Sequence, residues 1–129
     1  MKSSGPAHRV DPRHALGRAG EDYAVDYLRS QGMVVVERNW RCREGELDVI
    51  AFDEAHDTLV IVEVKTRRTT TFGSPVEAVT RLKAARLRHL AHAWLREHPV
   101  GVAAVRIDVV GILVRPHSAP VVEHVRDVW

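Results

Sequence analysis

Asp48, Glu63 and Lys65 have the residue types and the spacing of a hydrolytic metal site. They stand in Gly45-Glu46-Leu47-Asp48-Val49-Ile50-Ala51 and Val62-Glu63-Val64-Lys65-Thr66-Arg67, two alternating runs rich in aliphatic residues that read as strands. Residues two apart in a strand share a face. Val60, Val62 and Val64 form one apolar face, so Leu59, Ile61, Glu63 and Lys65 point the other way. In the earlier run Leu47, Val49 and Ala51 are apolar, and Glu46, Asp48 and Ile50 share the opposite face. One antiparallel register satisfies both runs with a tight turn. It pairs Leu47 with Val64, Val49 with Val62 and Ala51 with Val60, and hence Ile50 with Ile61, Asp48 with Glu63 and Glu46 with Lys65. Paired Cβ atoms lie ~4.5–5.5 Å apart, and two carboxylates at about 5 Å repel by roughly 3 kcal/mol at an effective dielectric near 20. Stability alone gives little reason to keep such a pair.

A divalent cation removes the repulsion. Mg²⁺ takes one or two protein carboxylates, keeps several waters and completes its octahedron with substrate phosphate oxygens. A lysine two residues from a metal-binding Glu, on the same face, stabilises an attacking hydroxide or the charge on phosphorus. Asp, then Glu-x-Lys on the next strand, is therefore suited to phosphodiester hydrolysis. The competing reading is a surface hairpin in which Glu46, Glu63 and Lys65 form exposed ion pairs, worth ~0–1 kcal/mol each. Against it stands the position of the acids beside Ile50 and Ile61.

The surrounding elements follow from local signals. Asp11-Pro12 reads as a helix cap with proline in the first turn, and Gly32 as the stop. Leu16, Ala19, Tyr23, Ala24 and Tyr27 mark the expected buried stripe, with Glu21 beside Leu28 at its edge. Gly17 and Gly20 each cost about 1 kcal/mol against Ala in a helix, and predict close approach of another backbone. Residues 33–38, 46–52 and 59–65 read as strands, 39–45 as a polar turn, and 53–58 as a hairpin connection. Ser74-Pro75-Val76-Glu77 reads as a capping box opening a second helix that ends before Pro99. Residues 103–114 and 121–125 complete the pattern as strands. The order predicts an α/β sandwich around a mixed sheet.

Composition sets the frame. A chain of 129 residues makes one domain with one core, expected over residues 11–129 behind a flexible tail of 1–10. With 45% hydrophobic but only 5% aromatic residues, that core is aliphatic. No run reaches the ~18–20 apolar residues of a membrane span, and the polar N-terminus lacks the apolar stretch of a signal peptide. Cys42 is the single cysteine, excluding an internal disulfide and fitting a reducing cytosol. A cytoplasmic location is expected. The net charge of +2 conceals a segment from Lys65 to Arg96 with eight basic residues and one acid, a pattern suited to a polyanion. Lys83 and Arg86 interrupt the apolar stripe of the second helix and could reach phosphates there. Arg67 and Arg68 follow the active strand. Arg106 and Asp108 share a strand face and are expected to pair structurally.

Taken together, the two strand motifs with Gly17-Arg18-Ala19-Gly20-Glu21, Asn39-Trp40-Arg41, Lys83 and Arg106-Ile107-Asp108-Val109-Val110 resemble the restriction-endonuclease-like, PD-(D/E)XK, superfamily. More narrowly they resemble the YraN-like proteins, related to archaeal Holliday-junction resolvases. The resemblance implies an α-β-β-β-α-β core with a central mixed sheet flanked by helices. It implies Asp48 and Glu63 as ligands of Mg²⁺, with Mn²⁺ as a substitute, and Lys65 as the charge-stabilising or base-positioning residue. Glu21 matches the acid that the first helix supplies in the resolvase-like branch, where it supports the metal. Leu47 departs from the proline in the motif's name without touching a ligand. Arg41, Arg67, Arg68, Lys83 and Arg86 form the expected nucleic-acid-binding set. The expected function is metal-dependent hydrolysis of DNA, at branched or end structures; a homodimer is the arrangement by which two strands could be cut. The alternative is a non-catalytic nucleic-acid-binding subunit of a recombination or DNA-uptake complex, with an RNA-processing nuclease as a third, weaker reading.

Overall fold

The computed structural model describes residues 12–68, 74, 77 and 79–129; the expected cap at Asp11 and the tail before it lie outside them. The elements run α1 (Pro12–Ser30), β1 (Val34–Cys42), β2 (Gly45–Asp53), β3 (Thr58–Arg67), α2 (Arg81–Glu97), β4 (Ala104–Leu113) and β5 (Val121–Val125). They form one sheet in the order β1-β2-β3-β4-β5. All neighbours are antiparallel except β3 and β4, which are parallel across the connection that contains α2. This is the expected α-β-β-β-α-β order, with β5 added at the edge. Among the described residues no helix is long and apolar enough to cross a membrane.

Each helix covers one face. α1 buries Ala24, Val25 and Leu28 against Val49, Ala51, Val60, Val62, Val110 and Ile112. α2 buries Leu87, Leu90 and Trp94 against Leu47, Ile50, Leu59, Ile61, Ile107 and Val109. β3 is covered on both sides, which is why its first half reads as an unbroken apolar run. Gly32, at φ +88°, stops α1 where expected: Met33 N–H donates to Leu28 O at 3.1 Å and Gly32 N–H to Arg29 O at 3.0 Å, the paired closure a left-handed residue permits.

The buried face of α1 is rotated from the expected stripe. Ala24 is buried and Leu16 and Tyr27 are half-buried, but Ala19 and Tyr23 are exposed. Gly20 sets the rotation, because a Cβ there would overlap the Thr66 side chain on β3. The close approach expected at Gly20 is thus real, although it is a side chain that approaches. Gly20→Ala should force α1 away from β3 at a cost of about 1–3 kcal/mol, the usual range for overpacking. A lowered urea midpoint checks this; an unchanged midpoint would show that α1 does not rest on Thr66.

Two further expectations need correction. The second helix starts at Arg81 rather than Ser74. Thr80 is its cap, accepting from Lys83 N–H at 3.1 Å, while Ser74 and Glu77 share only a single turn through a 3.2 Å backbone bond. Pro75 and Val76 of the expected capping box lie outside the described residues. The polar stretch 39–45 is mostly strand: β1 continues to Cys42 and the turn shrinks to Arg43 and Glu44. Burial of Trp40 against the α2-side core outweighs the turn preference of its polar neighbours.

The β1–β2 hairpin also changes faces midway. The Arg38↔Val49 rung belongs to the α1 side, with Val49 in that core and Arg38 bound to Glu21. The next registered rung, Trp40↔Leu47, packs into the α2-side core. Regular strands would keep both rungs on one face. The break falls at Asn39, whose φ is +53°, and at Asp48, whose Oδ2 accepts the Val64 N–H at 3.0 Å. The β2–β3 ladder accordingly ends at Val49↔Val62. Val49↔Val62, Ile50↔Ile61 and Ala51↔Val60 match the expected register, but the rungs expected beyond them are not formed. Leu47 leaves the face it was expected to share with Val49 and Ala51. The strands part at Asp48.

Candidate active site

Strand separation gives Asp48 its setting. Its carboxylate replaces a main-chain carbonyl as the acceptor for Val64, which anchors it, half-buried, between β2 and β3. Burial pushes its carboxyl up to about 6, the negative charges of Glu63, Glu21 and Glu46 add to the rise, and the Val64 N–H opposes it. Glu63 is buried and differently balanced: Lys83 Nζ donates to its Oε2 at 2.6 Å and Lys65 Nζ stands 3.7 Å from the same oxygen. After burial, the Glu63 charge is the largest cause of the rise at Asp48.

Glu21 approaches from α1 as expected, and Arg38 and Asn39 orient it. Its Oε1 accepts from Arg38 Nε at 3.0 Å, Arg38 Nη2 at 2.8 Å and Asn39 Nδ2 at 3.0 Å. Asn39 is also the residue at the β1 kink, so one position both bends the strand and anchors the acid. Neither residue was singled out as a partner of Glu21 from sequence. The available signal was Arg38 at the end of the first strand pattern and Asn39 opening the polar stretch that reads locally as a turn.

Among the described residues, Asp48 stands in the walls of a pair of cavities. One, of about 690 Å³, lies between the start of α1 and the sheet and is also bounded by Glu21, Asn39, Arg41 and Thr66. The other, of about 320 Å³, lies on the α2 side and is bounded by Glu46, Glu63, Lys83 and Arg86. Glu21, Asp48, Glu63, Arg41, Lys83 and Arg86 are thus gathered around the parting, with Lys65 joined through Glu63. Arg41 is exposed and 3.5 Å from Glu46. Arg67 lies beyond both linings, paired with Leu113 at the end of β3, and Arg68 follows it, exposed.

Asp48 and Glu63 offer hard carboxylate oxygens that could hold a divalent cation. Among the described residues no group of three or more His, Cys, Asp and Glu side chains is placed to bind a metal. A cation here would take most of its ligands from water and substrate, which suits Mg²⁺ better than zinc.

Fold and site define a class: an α/β sandwich protein carrying a lysine-braced acidic site where two antiparallel strands separate. The chain belongs to the family described as "Uncharacterised protein family UPF0102", whose model matches residues 20–112, a span holding Glu21, Asp48, Glu63, Lys65 and Lys83. Among its relatives, the UPF0102 protein of Acidothermus cellulolyticus is 52% identical over 130 residues, covering 93% of this chain and 97% of the relative. That of Beutenbergia cavernae is 54% identical, covering 90% and 97%. That of Streptomyces griseus is 53% identical, covering 92% and 99%.

Proposed function

We propose that the chain is a metal-dependent nuclease that hydrolyses phosphodiester bonds in DNA, with branched or end structures as its substrates. The observation that carries this reading is the gathering of Asp48, Glu63 and Lys65, with Glu21 from α1, where β2 and β3 separate. An isolated surface hairpin has no use for a half-buried acid whose carboxyl is raised to about 6.

Asp48 and Glu63 would hold Mg²⁺, or Mn²⁺ in its place, which when bound polarises a phosphate oxygen and acidifies a water. The residues supply the rest. Val64 N–H fixes the Asp48 carboxylate, and Arg38 and Asn39 fix Glu21. Lys65, 3.7 Å from Glu63, would stabilise negative charge on an attacking oxygen or on phosphorus. Arg86 and Arg41, on the walls of the two cavities, would meet the flanking phosphates; Arg67 and Arg68 extend the cationic track.

One observation favours the alternative of a non-catalytic nucleic-acid-binding subunit: Lys83 already neutralises Glu63 at 2.6 Å. A cleavage panel of branched, flapped, single-stranded and duplex DNA, with RNA counterparts, separates the readings when run with Mg²⁺ and with Mn²⁺. Lys65→Ala should lose cleavage by about 10²–10³-fold, the scale of removing one positioned charge-stabilising group, while Mn²⁺ binding by calorimetry persists. A wild-type protein that binds DNA but cuts nothing in the panel is the binding subunit instead.

A further inference from the structure

We infer that the larger cavity beside Asp48 is a cleft for the sugar-phosphate backbone of the strand leading to the reacting phosphate, with the main chain of α1 at Gly17 as part of its floor. The inference rests on the nuclease reading and deepens it, because it assigns a substrate-binding role to the first turns of α1.

Two independent observations support it. The first is the wall. His14, Arg18 and Arg41 line the cavity, which extends to Asp48 and Glu21. The guanidinium groups of Arg18 and Arg41 thus share the wall with the Glu21 and Asp48 carboxylates, and Arg38 already meets the Glu21 charge, so cations stand ahead of the acids along the wall. Among the described residues, no Phe, Tyr or Trp lines it. The cleft thus offers charge to phosphates and no described Phe, Tyr or Trp ring on which bases could stack, so contacts here would be to the backbone, which carries no sequence information directly.

The second is Gly17, also a lining residue. A glycine in a helix interior loosens the helix, and close packing against a neighbour is the usual compensation. Gly20 has that compensation in Thr66. Gly17 does not: among the described residues no heavy atom lies within 4 Å of a Cβ built on it. The space above Gly17 opens into the cleft. A side chain there would project where a strand must pass to reach Asp48, with His14 and Arg18 on the adjoining row of the helix and Arg41 on β1.

Gly17→Leu tests this by placing a bulky side chain at a position whose Cβ meets no described atom. The reading is fluorescence anisotropy of labelled single-stranded and duplex DNA at low salt without metal, beside thermal melting of the same protein. The expected result is a melting point equal to or above wild type, with affinity lowered about tenfold or more for whichever DNA the wild type binds. Arg18→Ala, at an exposed position, should weaken binding and flatten its salt dependence by about one unit, as loss of one phosphate contact does. Wild-type affinity in both variants would overturn the cleft while leaving the nuclease reading in place. A lowered melting point in Gly17→Leu with unchanged affinity would show that the chain itself fills the space. A wild-type protein that binds neither DNA would remove both the cleft and the reading beneath it.

Discussion

Asp48→Asn should abolish Mg²⁺-dependent cleavage, by about 10³-fold or more, while leaving DNA binding in metal-free buffer unchanged or stronger. Asn keeps an oxygen for the Val64 N–H but removes the charge a cation needs. The same carboxylate sets a pH dependence. With its carboxyl at about 6, Asp48 takes up a proton below that pH, so cation affinity and cleavage should both fall as pH drops through about 6. Its effect on stability has the opposite sense. The folded pKa lies above the ordinary 3.8, so the folded protein retains a proton that the unfolded chain has released. Stability is therefore lost as pH rises from about 4 to about 6, by at most roughly 3 kcal/mol and less because the group is partly exposed. Asp48→Asn should consequently raise the metal-free melting point above pH 6, with the gain vanishing below pH 4. Melts at both pH values and calorimetry with Mn²⁺ check the two halves; cleavage retained by the variant would remove Asp48 from the site.

Arg106→Ala should be the most damaging substitution away from that site, costing about 3–5 kcal/mol because it leaves a buried carboxylate without its cation. Asp108 is wholly buried on β4. Arg106 grips it with two bonds, Nε to Oδ1 at 2.9 Å and Nη2 to Oδ2 at 3.2 Å, and reaches Asp53 on β2 with Nη1 at 3.2 Å. His124 Nε2 lies 2.8 Å from Asp108 Oδ2, and the Asp127 N–H donates to Oδ1 at 3.0 Å. Tyr27 on α1 joins through its hydroxyl, 3.0 Å from His124 Nδ1. One network thus ties α1, β2, β4 and β5 together. Burial pushes the Asp108 carboxyl up, but hydrogen bonds from His124, Arg106 and the Asp127 N–H outweigh it and hold the carboxyl below the usual range. Because the folded pKa is depressed, this contribution is present above about pH 4 and is lost as pH falls through the lowered folded value. Arg106→Lys keeps the charge but not the two-bond grip, and should fall between wild type and Arg106→Ala. Urea unfolding at neutral pH measures the loss; a change below 1 kcal/mol would show that the network contributes little.

The sequence by itself determined most of the scaffold. Alternation over 46–52 and 59–65 specified two strands and the part of their register from Val49↔Val62 to Ala51↔Val60, because a one-residue slip would have turned the valines out of the core. Gly32 ended α1, and the Arg106/Asp108 pair was legible from two-residue spacing. Glu-x-Lys with a preceding Asp nominated Asp48, Glu63 and Lys65 as candidates, because those residue types are costly to bring together without a use. Some features were decided only in three dimensions. The face of α1 was set by the contact of Gly20 with Thr66, two residues far apart in the chain. The cation closest to Glu63 came from Lys83 on a helix whose start local signals misplaced. Most consequential, regular alternation fails at Asp48. Period-two patterning assumes an unbroken ladder, whereas here a side chain replaces a main-chain acceptor and the hairpin turns from one helix toward the other. Local pattern chooses which residues can lie on one face. Only packing against both helices determines where the sheet gives up a rung, and the candidate site lies at that position.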